Sequence, residues 1–290
     1  MKHCVHTAHN DVVRPRRRMR SCRSGRNEGE MTNDTKTIHW NGDLQQEGLD
    51  ILLGEGGMIV SPTKVGYIIM TSDGQGLERK FEAKQRNRNK PGVVLCGSME
   101  QLKRLAQLTP EIEAYYQQHW DEDILMGCIL PWREDALQYI PDEHAQELAK
   151  DHRGTSCFVI RFGTPGEKLA AALWENGKLA FASSANPSGK GNRGKVTGIG
   201  ERIHDRADLV IEADDYVASI QPNESEETRY EQGVMVSMVD KDGKLIPEQH
   251  GERSITPAPV LIRRGVYLDR ILAILAKHFN SWDYRHGEYY

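Results

Sequence analysis

Two short segments of this 290-residue chain carry residue types that could do chemistry on an anion. The first runs from Lys84 to Pro91, where Lys84, Arg86, Arg88 and Lys90 place four positive charges at every second position. In an extended segment these side chains share one face, a geometry suited to a polyphosphate. Pro91 disfavours helical geometry at Lys90 and keeps that end extended. A solvated basic stretch following a helix is the plainer alternative. The second segment, Ser183 to Gly189, reads Ser-Ser-Ala-Asn-Pro-Ser-Gly after the strand-like Ala180 to Ala182. Small hydroxyl residues, an amide and a glycine let backbone N–H groups approach an anionic or purine ligand closely. An ordinary turn is the alternative here, because Asn-Pro and Ser-Gly are common turn dipeptides.

These segments need elements to position them. Leu49 to Leu53 ends a helix stopped by Gly54 and the Gly56-Gly57 pair. Met58 to Val60 predicts a short buried strand ending at Ser61-Pro62, and Tyr67 to Met70 a second apolar run. Leu77 to Lys84 is helical, with Leu77 and Phe81 on one face. Gly92 to Cys96 is a strand, and Ser98 caps a helix striped by Leu102, Leu105 and Leu108. Strand patterns recur at 124–130, 157–162, 179–182, 209–211, 234–239 and 260–262. Helical patterns fall at 166–176, 199–206 and 269–279. The alternation predicts an α/β or α+β domain, a twisted sheet covered by helices. Residues 219–231 are polar and acidic, the pattern of a surface loop, and 281–290 form a C-terminal tail.

Composition narrows the class. A hydrophobic fraction of 38% and a charged fraction of 28% suit a soluble globular protein, and the net charge of −4 confines any anion-binding surface to a local patch. Five scattered cysteines without C-x-x-C spacing argue against a disulfide framework and fit a reducing compartment. No apolar run approaches the roughly 18 residues that span a bilayer, so the expectation is a cytoplasmic protein with no membrane partner. Residues 1–30 hold eight Lys/Arg against three acids and almost no large apolar residues, which predicts a disordered basic tail. It is either a basic arm that touches RNA or an upstream translation artefact with the natural start at Met31. The second is favoured. His3, Cys4, His6 and His9 are metal-ligand types, but a flexible tail offers no groups to orient them, and no metal site is expected.

Taken together and in order, the motifs resemble those of the YrdC family of threonylcarbamoyl-AMP synthases. That family carries Pro-Thr after its first strand, then Lys-x-Arg-x-x-x-Lys-Pro, an Arg ending a middle strand, Ser-x-Asn-x-Ser-Gly, and a late Arg-x-Gly. The chain supplies Ser61-Pro62-Thr63 and Tyr67, then Lys84, Arg86, Lys90 and Pro91, then Arg161 after Val159-Ile160. Ser184, Asn186, Ser188 and Gly189 follow, and Arg263 with Gly265 ends the set. The resemblance spans roughly residues 45 to 275 and implies one YrdC-like domain over about 40–280. Its fold would be an open, twisted, mixed sheet with flanking helices around a deep basic cleft. The implied reaction joins threonine, bicarbonate and ATP into threonylcarbamoyl-AMP and pyrophosphate, for modification of adenosine in certain tRNAs, with possible partner proteins of that pathway. Lys84 and Arg86 would be catalytic. They would clamp the nucleotide with Lys90, Ser184, Asn186, Ser188 and Arg263, while Thr63, Tyr67 and Arg161 would bind substrate. Mg²⁺ would arrive with ATP as the substrate's own counter-ion.

The departures from the family cluster in its amino-acid pocket. Where the family reads Pro-Thr-x-Thr-Val-Tyr-Gly-Leu, the chain has Val65 for the second threonine and Ile68 for the glycine. The Trp-Pro-Gly-Pro-x-Thr segment becomes Trp120 to Leu125, without prolines or threonine, and Ser-Thr-Val-Val-Asp becomes Val236 to Asp240 with one hydroxyl. Each lost hydroxyl removes a hydrogen bond worth about 1 kcal/mol net, unless neighbours such as Thr63 and Thr155 take over. Three functions therefore compete: threonylcarbamoyl-AMP synthesis, a related adenylate-handling enzyme with another acyl or amino-acid substrate, and double-stranded RNA binding without catalysis. The net negative charge weighs against the last.

Overall fold

The computed structural model describes residues 36–85, 88, 91–187 and 190–287. The basic tail and Met31 lie outside the described residues, as do Arg86, Lys90, Ser188 and Gly189. The described strands are β1 (Lys36–His39), β2 (Met58–Thr63), β3 (Gly66–Thr71), β4 (Val93–Leu95), β5 (Met126–Pro131) and β6 (Thr155–Ile160). They continue with β7 (Ala180–Ser184), β8 (Leu209–Glu212), β9 (Val234–Ser237), β10 (Val260–Arg263) and β11 (Asp283–Tyr284). Among the described residues these form one mixed sheet in the order β1-β8-β2-β3-β7-β4-β6-β5-β9-β10-β11. The centre is antiparallel, β2 to β3 to β7 to β4, and parallel pairs join β4 to β6, β5 to β9 and β2 to β8.

Helices cover both faces, which is why the central strands are near-continuous apolar runs. Along β7, Phe181 packs into a core with Leu77, Phe81, Leu102 and Phe158 on one face. Ala180 and Ala182 pack on the other, with Leu49 and Leu52 of α1 (Gln46–Leu53) and Leu169 and Leu173 of α6 (Thr164–Glu175). The side-chain period of two along a strand makes that division. On the first face lie α2 (Gly74–Lys84), α3 (Met99–Leu105), α4 (Pro110–Asp121), α5 (Glu143–Ala149) and α9 (Leu268–His278). Arg79 staples α2 in place, donating to both carboxylate oxygens of Asp208 (2.7 and 2.9 Å) and to the Gly56 carbonyl (2.6 Å).

Several expectations change. The β2 strand does not stop at Ser61-Pro62 but runs to Thr63, paired with β3 throughout. Proline is tolerated there because β8 pairs only with Ile59 and Val60, leaving Pro62 with a single neighbour that needs no N–H from it. The helix after Ser98 is capped as expected, Ser98 Oγ accepting from Gln101 N (3.0 Å), but ends at Leu105 rather than including Leu108. The Thr109-Pro110-Glu111 start of α4 passed unnoticed, although Thr109 caps it and proline at the first turn is favourable. The stretch 219–231 is only partly a loop, since Ser219 and Ile220 end α8 (Asp214–Ile220). Nor is 281–290 merely a tail: β11 adds a short parallel strand beside β10.

Two packing details generate tests. Val266 N donates to the Gln232 carbonyl (3.0 Å), so the end of β10 and the start of β9 lie back to back, and a Cβ on Gly265 would fall 2.3 Å from the Gly233 carbonyl carbon. The glycine of the Arg-x-Gly motif is thus required by backbone crowding. Gly265→Ala should lower the unfolding free energy by about 2–3 kcal/mol in urea titration; an unchanged midpoint would refute the crowding. His119, fully buried near the end of α4, sits with Nδ1 2.7 Å from the Tyr115 carbonyl and Nε2 without a partner among the described residues. Burial pushes its pKa down from 6.5 to about 4. The fold disfavours the imidazolium, so this stabilisation is whole above pH 6.5 and drains as pH falls toward 4. Its full size is roughly 3 kcal/mol. Unfolding free energies between pH 7.5 and 4.5 should fall more steeply for the native chain than for His119→Gln; equal slopes would exclude the mechanism.

Candidate functional site

One row of cross-strand neighbours builds the floor of the site. Ile68 of β3 faces Ser184 of β7, Ala182 faces Val93 of β4, Leu95 faces Val159 of β6, and Val159 and Met235 flank Gly127 of β5. All eight line one cavity of about 330 Å³ on the sheet face that carries α1 and α6. Gly127 keeps the floor low, since a Cβ there would press on Cys157 Sγ at 3.0 Å. A second chamber of about 400 Å³ adjoins it, and Ser184, Glu231, Gln232 and Arg263 line both.

At the shared rim the structure brings together motifs distant in sequence. Lys84 is the last residue of α2, and its side chain is 7% exposed. Its ammonium donates to the Ser184 carbonyl and lies 3.3 Å from Ser184 Oγ, 3.3 Å from the Asn186 carbonyl and 3.4 Å from Asn186 Oδ1. Asn186 in turn donates from Nδ2 to the carbonyls of Pro187 (3.0 Å) and Lys190. Arg263 closes β10 with Nε donating to the Gly233 carbonyl (2.9 Å). Of the four even-spaced cations, Lys84 is helical rather than extended, Gln85 after it turns left-handed (φ 49°), and Arg88 is 64% exposed and paired with Glu78. Arg86, Lys90 and Ser188 lie outside the described residues.

The expected substrate residues are committed to the fold. Thr63 lines the cavity, but its hydroxyl donates to the Gly66 carbonyl (2.8 Å) and accepts from Val65 N (3.2 Å). Tyr67 lends its ring to the wall, while its hydroxyl donates to Asp214 (2.5 Å) and accepts from Ala213 N (2.9 Å). Burial, then the Asp214 carboxylate, pushes that phenol well above its ordinary value. Arg161 is not among the cavity-lining residues. In a left-handed conformation (φ 52°), it donates to the Trp120 carbonyl (2.9 Å) and stacks 3.8 Å over the Trp120 ring, with Glu167 at 3.6 Å. Thr155 and Ser237 do not replace the missing hydroxyls. Thr155 pairs with Pro131 at the far end of β6, and Ser237 lines a different groove, its hydroxyl 3.3 Å from the Val239 carbonyl.

The acceptor end is therefore walled by apolar groups, chiefly Val65, Ile68, Leu125, Val159 and Phe162. Ser183 also borders the cavity, but alternation along β7 puts its side chain on the face of Phe181, where its buried Oγ has no partner among the described residues. Sequence reasoning missed three further residues. Lys64, 3% exposed, donates to the Asp123 carboxylate (2.7 Å) and carbonyl (2.6 Å), and burial lowers its pKa against the pull of Asp123. A lysine between two buried strands was a visible signal, because a buried charge needs a partner. Asn192 Nδ2 donates to the carbonyls of Tyr67 (3.0 Å) and Ala185 (3.1 Å), tying β3 to the β7 loop; at Gly66 (φ 131°) a Cβ would meet its Oδ1 at 2.2 Å. Glu231 comes from the stretch expected to be a surface loop, and nothing in its composition separated it from its acidic neighbours.

Comparison with known proteins identifies the family and the fold. The Sua5/YciO/YrdC family model, described as telomere recombination, matches residues 52–225. A crystal structure of the hypothetical protein smu.1377c from Streptococcus mutans UA159 is 66% identical, with a TM-score of 0.84 over 88% of this chain and 99% of that one. Sua5 of P. abyssi, in a crystal structure complexed with L-threonine, is 20% identical with a TM-score of 0.53, covering 83% of this chain and 58% of that one. YciO of E. coli is 16% identical with a TM-score of 0.53, covering 80% and 95%. The last two show a shared fold. A search of curated proteins finds no match. With the family model extending over more than half of its length, the chain belongs to the Sua5/YciO/YrdC family.

Proposed function

We propose that the chain is an adenylate-forming enzyme of the threonylcarbamoyl-AMP synthase type, acting in tRNA modification. The observation that carries this is the β7 loop at Ser184 and Asn186, held from behind by Lys84, meeting Arg263 where two chambers adjoin. Family membership supports the same reading, as does the L-threonine bound to P. abyssi Sua5.

In this reaction the amine of an amino acid first attacks the carbon of bicarbonate, a C–N bond forms, water leaves, and a carbamate results. A carbamate oxygen then attacks the α-phosphorus of ATP, the bond to the β-phosphate breaks, and pyrophosphate leaves. The carbamate is a weak nucleophile, so rate enhancement rests on alignment and on neutralising the triphosphate. Lys84 and Arg263 supply positive charge at the rim, and Arg86, Lys90 and Ser188 complete the clamp by their place in the motif. Ser184 and Asn186 hold the α-phosphate region. Mg²⁺ would enter as part of the ATP substrate and supply further neutralisation of its charge.

A second reading keeps the nucleotide chemistry and changes the amino acid. The apolar wall of Val65, Ile68 and Leu125 favours it, because a threonine hydroxyl there would be left unpaired, at a cost of about 1–3 kcal/mol. The full chain incubated with ATP, Mg²⁺, bicarbonate and each amino acid in turn, with pyrophosphate release and mass detection of the adenylate, distinguishes the two. Turnover with threonine alone establishes the first. Turnover with an aliphatic amino acid over threonine establishes the second, and absence of nucleotide binding at millimolar ATP excludes both.

Lys84→Ala removes charge-assisted hydrogen bonds worth about 1.5–3 kcal/mol. ATP affinity by calorimetry should therefore fall about 10- to 100-fold. An affinity equal to that of the native chain would remove Lys84 from the clamp.

A further inference from the structure

The loop between α8 and β9 brings an arginine into the second chamber. Arg229 is 7% exposed, lines that chamber with Lys190 and Arg263, and its Nε has no hydrogen-bond partner among the described residues. Its seat is built rather than incidental. The next residue, Tyr230, is clamped through both backbone groups by the Gln221 side chain, N to Oε1 at 2.8 Å and Nε2 to O at 2.9 Å. On the other side the guanidinium packs on Gly194 (φ 63°), where a Cβ would stand 3.1 Å from Cζ. No carboxylate among the described residues forms a direct ion pair with it: Glu226 pairs with Lys195 (3.0 Å), Glu231, which also lines the chamber, accepts from the backbone N–H of Arg193, and Glu227 accepts from the Ser225 hydroxyl (2.7 Å) while feeling the Arg229 charge from a distance. A buried guanidinium held in this way is stabilised by an anion in the chamber it lines.

We propose that the second chamber binds the terminal phosphates of a nucleoside triphosphate, with Arg229 as the buried cation that receives them beside Arg263. This deepens, and rests on, the adenylate-forming reading above. The chamber shares Ser184 and Arg263 with the main cavity, so a triphosphate anchored at Ser184 and Asn186 can extend into it without crossing the sheet. Arginine suits the task because its planar fork can meet two phosphate oxygens at once.

The test measures binding of ATP, AMP and inorganic tripolyphosphate to the full native chain, Arg229→Gln and Arg229→Lys, with the melting temperature of each apo-protein. Arg229→Gln should weaken ATP and tripolyphosphate at least about tenfold and leave AMP within about twofold, with Arg229→Lys between. Its apo melting temperature should equal or exceed that of the native chain, since a buried cation without a counter-ion has been removed. A native chain that binds tripolyphosphate through Arg229 but neither nucleotide would uphold the chamber and end the adenylate reading. Equal losses for ATP and AMP together with a lowered apo melting temperature would make Arg229 a structural strut and overturn the proposal. So would ATP and tripolyphosphate affinities unmoved by Arg229→Gln, or no tripolyphosphate binding by the native chain.

Discussion

A lysine ammonium taken almost wholly out of water must find oxygen atoms, and Lys84 finds them on the loop leaving β7. The packing of two distant segments follows from that requirement. The α2 helix, stapled at its middle by Arg79 to Asp208, delivers the lysine to the rim, and the loop at Ser184 and Asn186 folds over it. Asn192 then ties the same loop to β3. Loop order and charge placement are thus one property: the cation that would meet a phosphate also holds the loop that would surround it.

The sheet contributes a second constraint. Register places Ile68, Ser184, Ala182, Val93, Leu95, Val159, Gly127 and Met235 in one row across six strands, so the floor of the cavity is a line of cross-strand neighbours. A slip of one residue in any of these strands would send its contribution to the opposite face. At the end of the row, the close approach of Gly233 and Gly265 brings β9 and β10 together and points Arg263 back at the rim.

The two ends of the cleft differ in kind. The end at Ser184, Asn186 and Arg263 is polar and assembled from the motifs that resemble those of the family. At the other end, Thr63, Tyr67 and Arg161 spend their polar groups on the fold, and the wall at Val65, Ile68, Leu125 and Val159 is aliphatic. Binding energy from such a wall comes from apolar burial, which discriminates weakly between similar side chains, whereas a misplaced hydroxyl is rejected more strongly.

By itself the sequence determined the family and the mixed α/β class, because these depend on local periodicity and on motifs kept in order. Most strands and helices were legible for the same reason: apolar alternation and helix caps are short-range signals. What tertiary structure alone decided is where side chains spend their hydrogen bonds. Thr63 and Tyr67 have the chemistry of substrate ligands, yet burial obliges their hydroxyls to satisfy Gly66, Ala213 and Asp214. The residues around 229–231 have the composition of a surface loop, yet Gln221 and Gly194 seat Arg229 inside the second chamber. A polar group's partner is set by which distant backbone arrives beside it, and no local pattern encodes that arrival.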